Sequence, residues 1–496
     1  MNLPGMLSIL GLSTFSMNNT LKVYVGNEKI APYEFKISTG VLGAINPILY
    51  GYALKANEIQ EIFPGLIEKW NFDFQDTYTL TLGNNKFHNG REINSKDVEF
   101  SIIRGFLSNS PNYNKIHFSD IAGVEKLKIG QKFTSGMADG IKVIDNKTLK
   151  IRLKNKNPIF LLNFTIPFVP IVPIEELRDD YFTWKSKPVG AGPYKITQDF
   201  RNDIVVLERV DSSSSSPKFI EFHTQRKEVD YDILFDNVLS IEKESNFKNN
   251  ISKHPTDITS MFFYKQNEYG KNFNFRKAVY HAIDRDAAVG NSIVLKPAYE
   301  MMVRPYPGRL NTSNPYNPDL AKEFANKLPK SFFENDILIG VYSANDEFPP
   351  VIKKQLEFIK ANLDKTGLKF KFEPIQEKFP TEEIMKKYAI KLWSKVVDLA
   401  DPSISYGAMS DSSPYSNEMP DSNKKFENTY QNAIKATSFE ARLKAIELIS
   451  KAIETDALIV PIFQRYVLFR TNPKTIKSLG DQSKPLFIDL SLVEMQ

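Results

Sequence analysis

The chain has no cysteine among its 496 residues. That absence excludes disulfide bonds, thiolate metal sites and a cysteine nucleophile, and it leaves no cysteine to carry a lipid. Histidine is scarce as well. The five are His88, His117, His223, His254 and His281, and no two stand at the spacing of paired metal ligands. Each reads as a packed or surface residue. An excess of one charge is also lacking, since 64 basic residues nearly cancel 59 acidic ones and leave +5. Lys and Arg are dispersed, so nucleic acid is not an expected partner. No Gly-x-Ser-x-Gly elbow and no His-Glu-x-x-His motif occurs, and paired carboxylates are too common here to nominate a catalytic set. An enzyme is therefore not expected, nor a cofactor or a metal.

Long apolar runs are few. Leu3 to Phe15 is uncharged, with the small residues Ser13, Thr14 and Ser16 ahead of Met17; its length suits the apolar part of a secretory signal, although the first lysine is Lys22. The expectation is an exported protein with a signal over residues 1–17, free rather than lipid-anchored. The next apolar stretch, Pro158 to Ile174, carries Pro158, Pro167, Pro170 and Pro173. A membrane helix tolerates that poorly, so the stretch reads as buried extended chain.

What is present is size and mixed periodicity. At 496 residues, with 42% apolar and 12% aromatic residues, the chain can build two or three compact units with large cores. Thr20 to Val25 alternates like a first strand. Tyr78, Leu80 and Leu82 fall on one face of an extended run, with Thr79 and Thr81 on the other. Asn89-Gly90 reads as a two-residue hairpin turn. Asn94 is then an N-cap with Asp97 at N3, ahead of the stripe Val98, Ile102 and Phe106. Ile141 to Ile144, the Asp145-Asn146 turn and Thr148 to Leu153 form a hairpin by period. Pro188 to Tyr194 is a rigid turned connection, and Pro193 argues against a phosphate loop at Gly190-x-Gly192. The serines 212–216 read as a hairpin loop between strands. Phe273 to Asp286 reads as one helix with Phe275, Val279, Ala282 and Ile283 on its buried face and Asp284, Arg285 and Asp286 at a solvated end. Val351 to Leu363 is a second helix, followed by Gly367 and a strand from Leu368 to Phe372. Thr437 and Glu440 read as a capping box for a helix whose stripe is Leu443, Ile446, Ile449 and Ile453, before a buried strand from Leu458 to Phe463.

The wording of several of these phrases is more specific than their periodicity. Lys86 to Phe100 (KFHNGREINSKDVEF) closely resembles the signature of the family 5 extracellular solute-binding proteins, the peptide- and nickel-binding receptors of ABC importers. Pro64 to Trp70, Pro188 to Tyr194, Lys227 to Asp230, Phe275 to Arg285, Asp398 to Pro402 and Arg442 to Phe463 are similar to further phrases of that family, in the same order. Two departures stand out: Trp393 precedes Asp398 with Lys395 between them, and Val294 to Ala298 lacks the glycine expected after the helix phrase. They imply a pocket unlike a standard dipeptide site.

The resemblance implies a mixed α/β chain in a two-lobed, periplasmic binding protein type II-like fold, with hinge strands and an inserted β-rich subdomain. Lobe I would comprise residues 18–45, 175–265 and 466–496, with the insertion at 46–174 and lobe II at 266–465. It implies a monomer in the periplasm that captures a peptide or similar small solute and delivers it to a membrane permease. Asp398 matches the position that pairs with a peptide amine; its other role would be bracing the Asp401-Pro402 turn, and Asp401 itself reads as structural. Trp393 would wall the pocket or fill the lobe core, and Tyr33 is a pocket residue by family position. The alternative is a receptor-fold sensor or chaperone partner without a transport role.

Overall fold

A computed structural model describes residues 19–25, 41–57, 61–73, 75–108, 114–167, 169–197, 204–211, 215–225, 229–235, 246–255, 257–264, 267–302, 308–343, 348, 350–376, 382–396, 406, 424–436, 438–482 and 488–496. The expected signal at 1–17 lies outside them.

Two large sheets organise the described chain. The first has seven strands, in spatial order Lys248–Ile251, Leu468–Thr471, Ile233–Leu234, Thr20–Tyr24, Phe219–His223, Ile204–Arg209 and Tyr194–Ile196. Its centre is the Thr20–Tyr24 strand, parallel to both neighbours. Ile204–Arg209 and Phe219–His223 pair antiparallel, and most of the serine run between them lies outside the described residues. The second sheet has six strands, in order Leu295–Pro297, Ile459–Arg465, Asp257–Phe263, Ile390–Val396, Ile337–Tyr342 and Phe370–Ile375. Asp257–Phe263 is buried along its whole length, and its alternation serves two cores. Met261 and Phe263 join one cluster with Ile337, Ile339 and Leu363, whereas Ile258 and Phe262 join another with Ile446 and Ile449 on the opposite face.

A four-stranded antiparallel sheet, Ile67–Phe72, Thr77–Leu82, Thr148–Arg152 and Ile141–Val143, shares one continuous core with the seven-stranded sheet. Tyr78, Leu80 and Leu82 face that core in strict alternation. The hairpin after them differs from expectation. Phe87 N–H donates to the Arg91 carbonyl and Gly90 N–H to the Phe87 carbonyl, so the loop has three residues. Gly90 takes φ +87° and Asn89 is not among the positive-φ residues. This is a turn followed by a left-handed glycine, which preserves the strand twist with one positive φ instead of two. The cap is as expected: Asn94 accepts from the amides of Lys96 and Asp97, and the Asp97 carboxylate accepts from Asn94 N–H.

Three further expectations are corrected. The Phe273 helix stops at Ala282, because Ile283 is extended and Asp284 caps a new helix, Arg285–Val289, by accepting from Ala287 N–H. Arg285 is then not at a solvated end. Its guanidinium is fully buried and donates to the carbonyls of Pro461, Tyr280 and Ile283. The long helix Phe439–Thr455 is capped by Ser438, one residue past Thr437, which is outside the described residues. Finally, Phe160–Thr165 is a short 3₁₀ helix rather than extended chain, and buried as the apolar run required.

The two lobes are joined by paired strands. Ile251 stands opposite Leu468 in the first sheet, and Asp257 opposite Arg465 in the second. Between them Ser252 N–H donates to the Val467 carbonyl, and Val467 N–H donates back to Ser252 Oγ.

Candidate functional site

The strand Ile390–Val396 carries the chain towards Asp398, and its register is set on both sides. Trp393 stands opposite Ser260 in the antiparallel neighbour, and Leu392 beside Val341 in the parallel one. Alternation then puts Lys391 and Trp393 on one face and Ile390 and Leu392 on the other, inside the core. Trp393 is half-buried and packs against the cluster of Ile258, Phe262, Met301 and Met302. Its surroundings are not purely apolar. Lys391 Nζ lies 4.1 Å from the Trp393 ring centroid, a cation–π contact made by a lysine only 7% exposed. Tyr342, at the end of its strand and partly exposed, stands 5.6 Å from the same ring at 59°.

The end of this strand is held by charge. Val396 pairs with Asp257, whose buried carboxylate accepts from Arg465 Nε and Nη2, each 2.9 Å away. One step along, Thr259 Oγ1 and Ser394 Oγ are hydrogen-bonded at 2.6 Å. Asp398, Asp401 and Tyr33 lie outside the described residues, so of the expected site residues Trp393 alone has a described environment. The neighbours missed from sequence are Tyr342, Lys391, Asp257 and Arg465. Lys391 was legible as the residue two before Trp393 in an alternating run; the others come from remote strands and needed the sheet order.

The family-like phrases elsewhere hold structure together. His88 shows how: Gly190 N–H donates to its Nδ1 at 3.3 Å, so the ring proton sits on Nε2, which donates to the Gly192 carbonyl at 2.9 Å. Burial, the largest cause, pushes the His88 pKa below its ordinary value. His281 is similarly placed, its Nδ1 on the Pro315 carbonyl at 2.8 Å and its ring stacked on Phe324, and burial lowers its pKa too. Among the described residues no set of three His, Asp or Glu side chains is arranged to hold a metal ion, and no helix is long and apolar enough to cross a membrane. A cavity of about 420 Å³ opens in the first lobe beside Tyr52, Lys55, Asp481 and Asp489, and Trp393 does not line it. Burial and then the Asp489 charge raise the Tyr52 phenol well above its usual range.

The chain is similar to known proteins along most of its length. The oligopeptide-binding protein OppA of Bacillus subtilis is 26% identical over 241 residues, which is 43% of this chain and 43% of that protein. The aligned stretch thus spans less than half of this relative's length. Among solved structures, the ABC transporter-associated periplasmic binding protein DppA of Helicobacter pylori, in complex with peptide STSA, superposes with a TM-score of 0.73 at 19% identity, covering 96% of this chain and 98% of that one. NikA of Brucella suis, in complex with Fe(III)-EDTA, gives 0.75 at 16% identity, covering 96% and 100%. These likenesses establish the two-lobed fold. The family model described as "Bacterial extracellular solute-binding proteins, family 5 Middle" matches residues 61–417, most of the sequence. This is a family of solute-binding proteins rather than enzymes, and the chain belongs to it.

Proposed function

We propose that the protein is a periplasmic receptor that captures a peptide or similar small solute between its lobes and delivers it to the permease of an ABC importer. The observation that carries this reading is the family match over 61–417, combined with two separately cored lobes joined by paired strands. Closure on a ligand needs that architecture: each lobe stays rigid while the crossings flex. The relatives support a peptide as the solute, since the Bacillus subtilis homologue is an oligopeptide-binding protein. The lobes would divide near 252–255 and 466–467, earlier than the expected 265/266 boundary because Asp257–Phe263 pairs within the second sheet, with the four-stranded sheet as the inserted part of lobe I. The protein acts as a monomer.

In this reading Asp398 accepts the ligand's ammonium group, Trp393 walls the pocket beside it, and Tyr33 reaches in from the first lobe. What supports Asp398 is its place in sequence two residues beyond Val396, the last residue of a strand braced by the Asp257–Arg465 pair. A charge-assisted hydrogen bond in a closed, dehydrated cleft contributes about 1.5–3 kcal/mol. Replacing Asp398 by Asn should therefore weaken peptide binding by about ten- to a hundred-fold. Isothermal titration calorimetry with a pool of di- to pentapeptides tests this; unchanged affinity would remove Asp398 from the site. Native mass spectrometry of the protein as purified would show a retained peptide by its mass.

A further inference from the structure

The crossing between the lobes contains more than two strands. Leu468 opens the strand Leu468–Thr471 of the first sheet, yet its side chain is buried against Leu295, the first residue of the second sheet's edge strand, and Val294 just before it. Val289, Ile293 and Phe463 pack around them. Exposure falls to 5% for Leu468, 4% for Val294 and 8% for Leu295, so the contact is dry and closely packed. The Val294 carbonyl also accepts from Tyr466 N–H at 2.8 Å, within the crossing itself. Each of the other core clusters of the described residues draws on one lobe; this cluster draws on both.

A rotation of one lobe on the other has to move Leu468 relative to Val294 and Leu295, because they are fixed to different sheets. Paired backbone on its own bends over a continuous range, whereas a dry apolar contact has a preferred packing and resists departure from it. We propose that the Val294–Leu295–Leu468 cluster sets the equilibrium between lobe arrangements, favouring the one in which these three side chains interlock. It acts in the ligand-free protein and is independent of which solute the cleft takes.

The absence of native cysteine makes the test direct. Lys69→Cys in the four-stranded sheet and Lys444→Cys on the Phe439–Thr455 helix, positions with side chains 76% and 71% exposed, place one spin label on each lobe. Pulsed electron–electron distance measurement on the ligand-free protein should show one dominant separation. Leu468→Ala should lower the ratio of that separation to the others by about five-fold or more, and Leu468→Met should restore it. Leu363→Ala, in the core of the second lobe alone, should reduce thermal stability and leave the distances unchanged. If Leu468→Ala fails to fold, Val294→Ala carries the same expectation. Distance distributions that superimpose on wild type for both Val294→Ala and Leu468→Ala would overturn the proposal, and so would an equal broadening from Leu363→Ala.

Discussion

At the scale of single residues, most of what makes this sequence distinctive is scaffolding. His88 ties the Phe87–Arg91 hairpin to the Gly190–Gly192 turn through both ring nitrogens, which requires the neutral ring. Burial lowers its pKa, so the sign of the pH effect follows. The unfolded chain takes up a proton near the ordinary histidine value of about 6.5, while the folded ring resists it. Stability is therefore full above that value and declines as pH falls through it towards the lowered folded pKa. Urea unfolding at pH 7.5 and pH 5 should show a smaller acid loss in His88→Gln than in wild type. Equal losses would mean that His88 does not carry the effect. Arg285 makes the same point about legibility. Between two aspartates it reads as solvated, yet its guanidinium serves the Tyr280 and Ile283 carbonyls where one helix ends and the next begins, and the Pro461 carbonyl of a neighbouring strand. Charge along the sequence does not reveal which carbonyls a break will orphan.

At the scale of elements, local chemistry was legible where it is local. The alternation of Tyr78, Leu80 and Leu82, the Asn94 cap and the stripe of Ile446, Ile449 and Ile453 all appear in the structure, because period and capping depend on neighbours in sequence. The misreadings share a cause. Ile283 breaks a strongly periodic helix because Asp284 offers a competing cap, and Asn89-Gly90 closes a three-residue loop because Gly90 alone supplies the positive φ. The turn at 188–194 reads as rigid from its glycines and prolines, but the close approach that requires glycine is tertiary. A Cβ on Gly192 would stand 2.2 Å from the Ile48 carbonyl oxygen, whereas one on Gly90 would meet nothing within 4 Å. Gly192→Ala should thus destabilise by about 2–3 kcal/mol through forced backbone displacement. Gly90→Ala should lose only the about 1–2 kcal/mol of a left-handed alanine. Urea midpoints of the two variants check the order; a Gly90 loss equal to or above that of Gly192 would contradict it.

At the scale of the whole molecule, the ordered phrases point to two lobes, and the likeness to solved structures shows a two-lobed fold. The candidate site was legible only along one strand. Trp393 could be named from its own sequence, but Tyr342, Asp257 and Arg465 come from strands remote in the chain, and register rather than periodicity brings them beside it. The proposed function rests at this scale on motion: each lobe would keep its own core while the crossings flex and ligand in the cleft draws the lobes together. A ligand present at a hundred times its dissociation constant would stabilise such a protein by about 2.7 kcal/mol, so closure and thermal stabilisation should rise together. The most direct measurement is small-angle X-ray scattering of the ligand-stripped protein, with and without a saturating pool of di- to pentapeptides. The account predicts a smaller radius of gyration with peptide, and in Asp398→Asn a peptide concentration about ten- to a hundred-fold higher to reach half of that change. Superimposable wild-type profiles with and without the pool would contradict it.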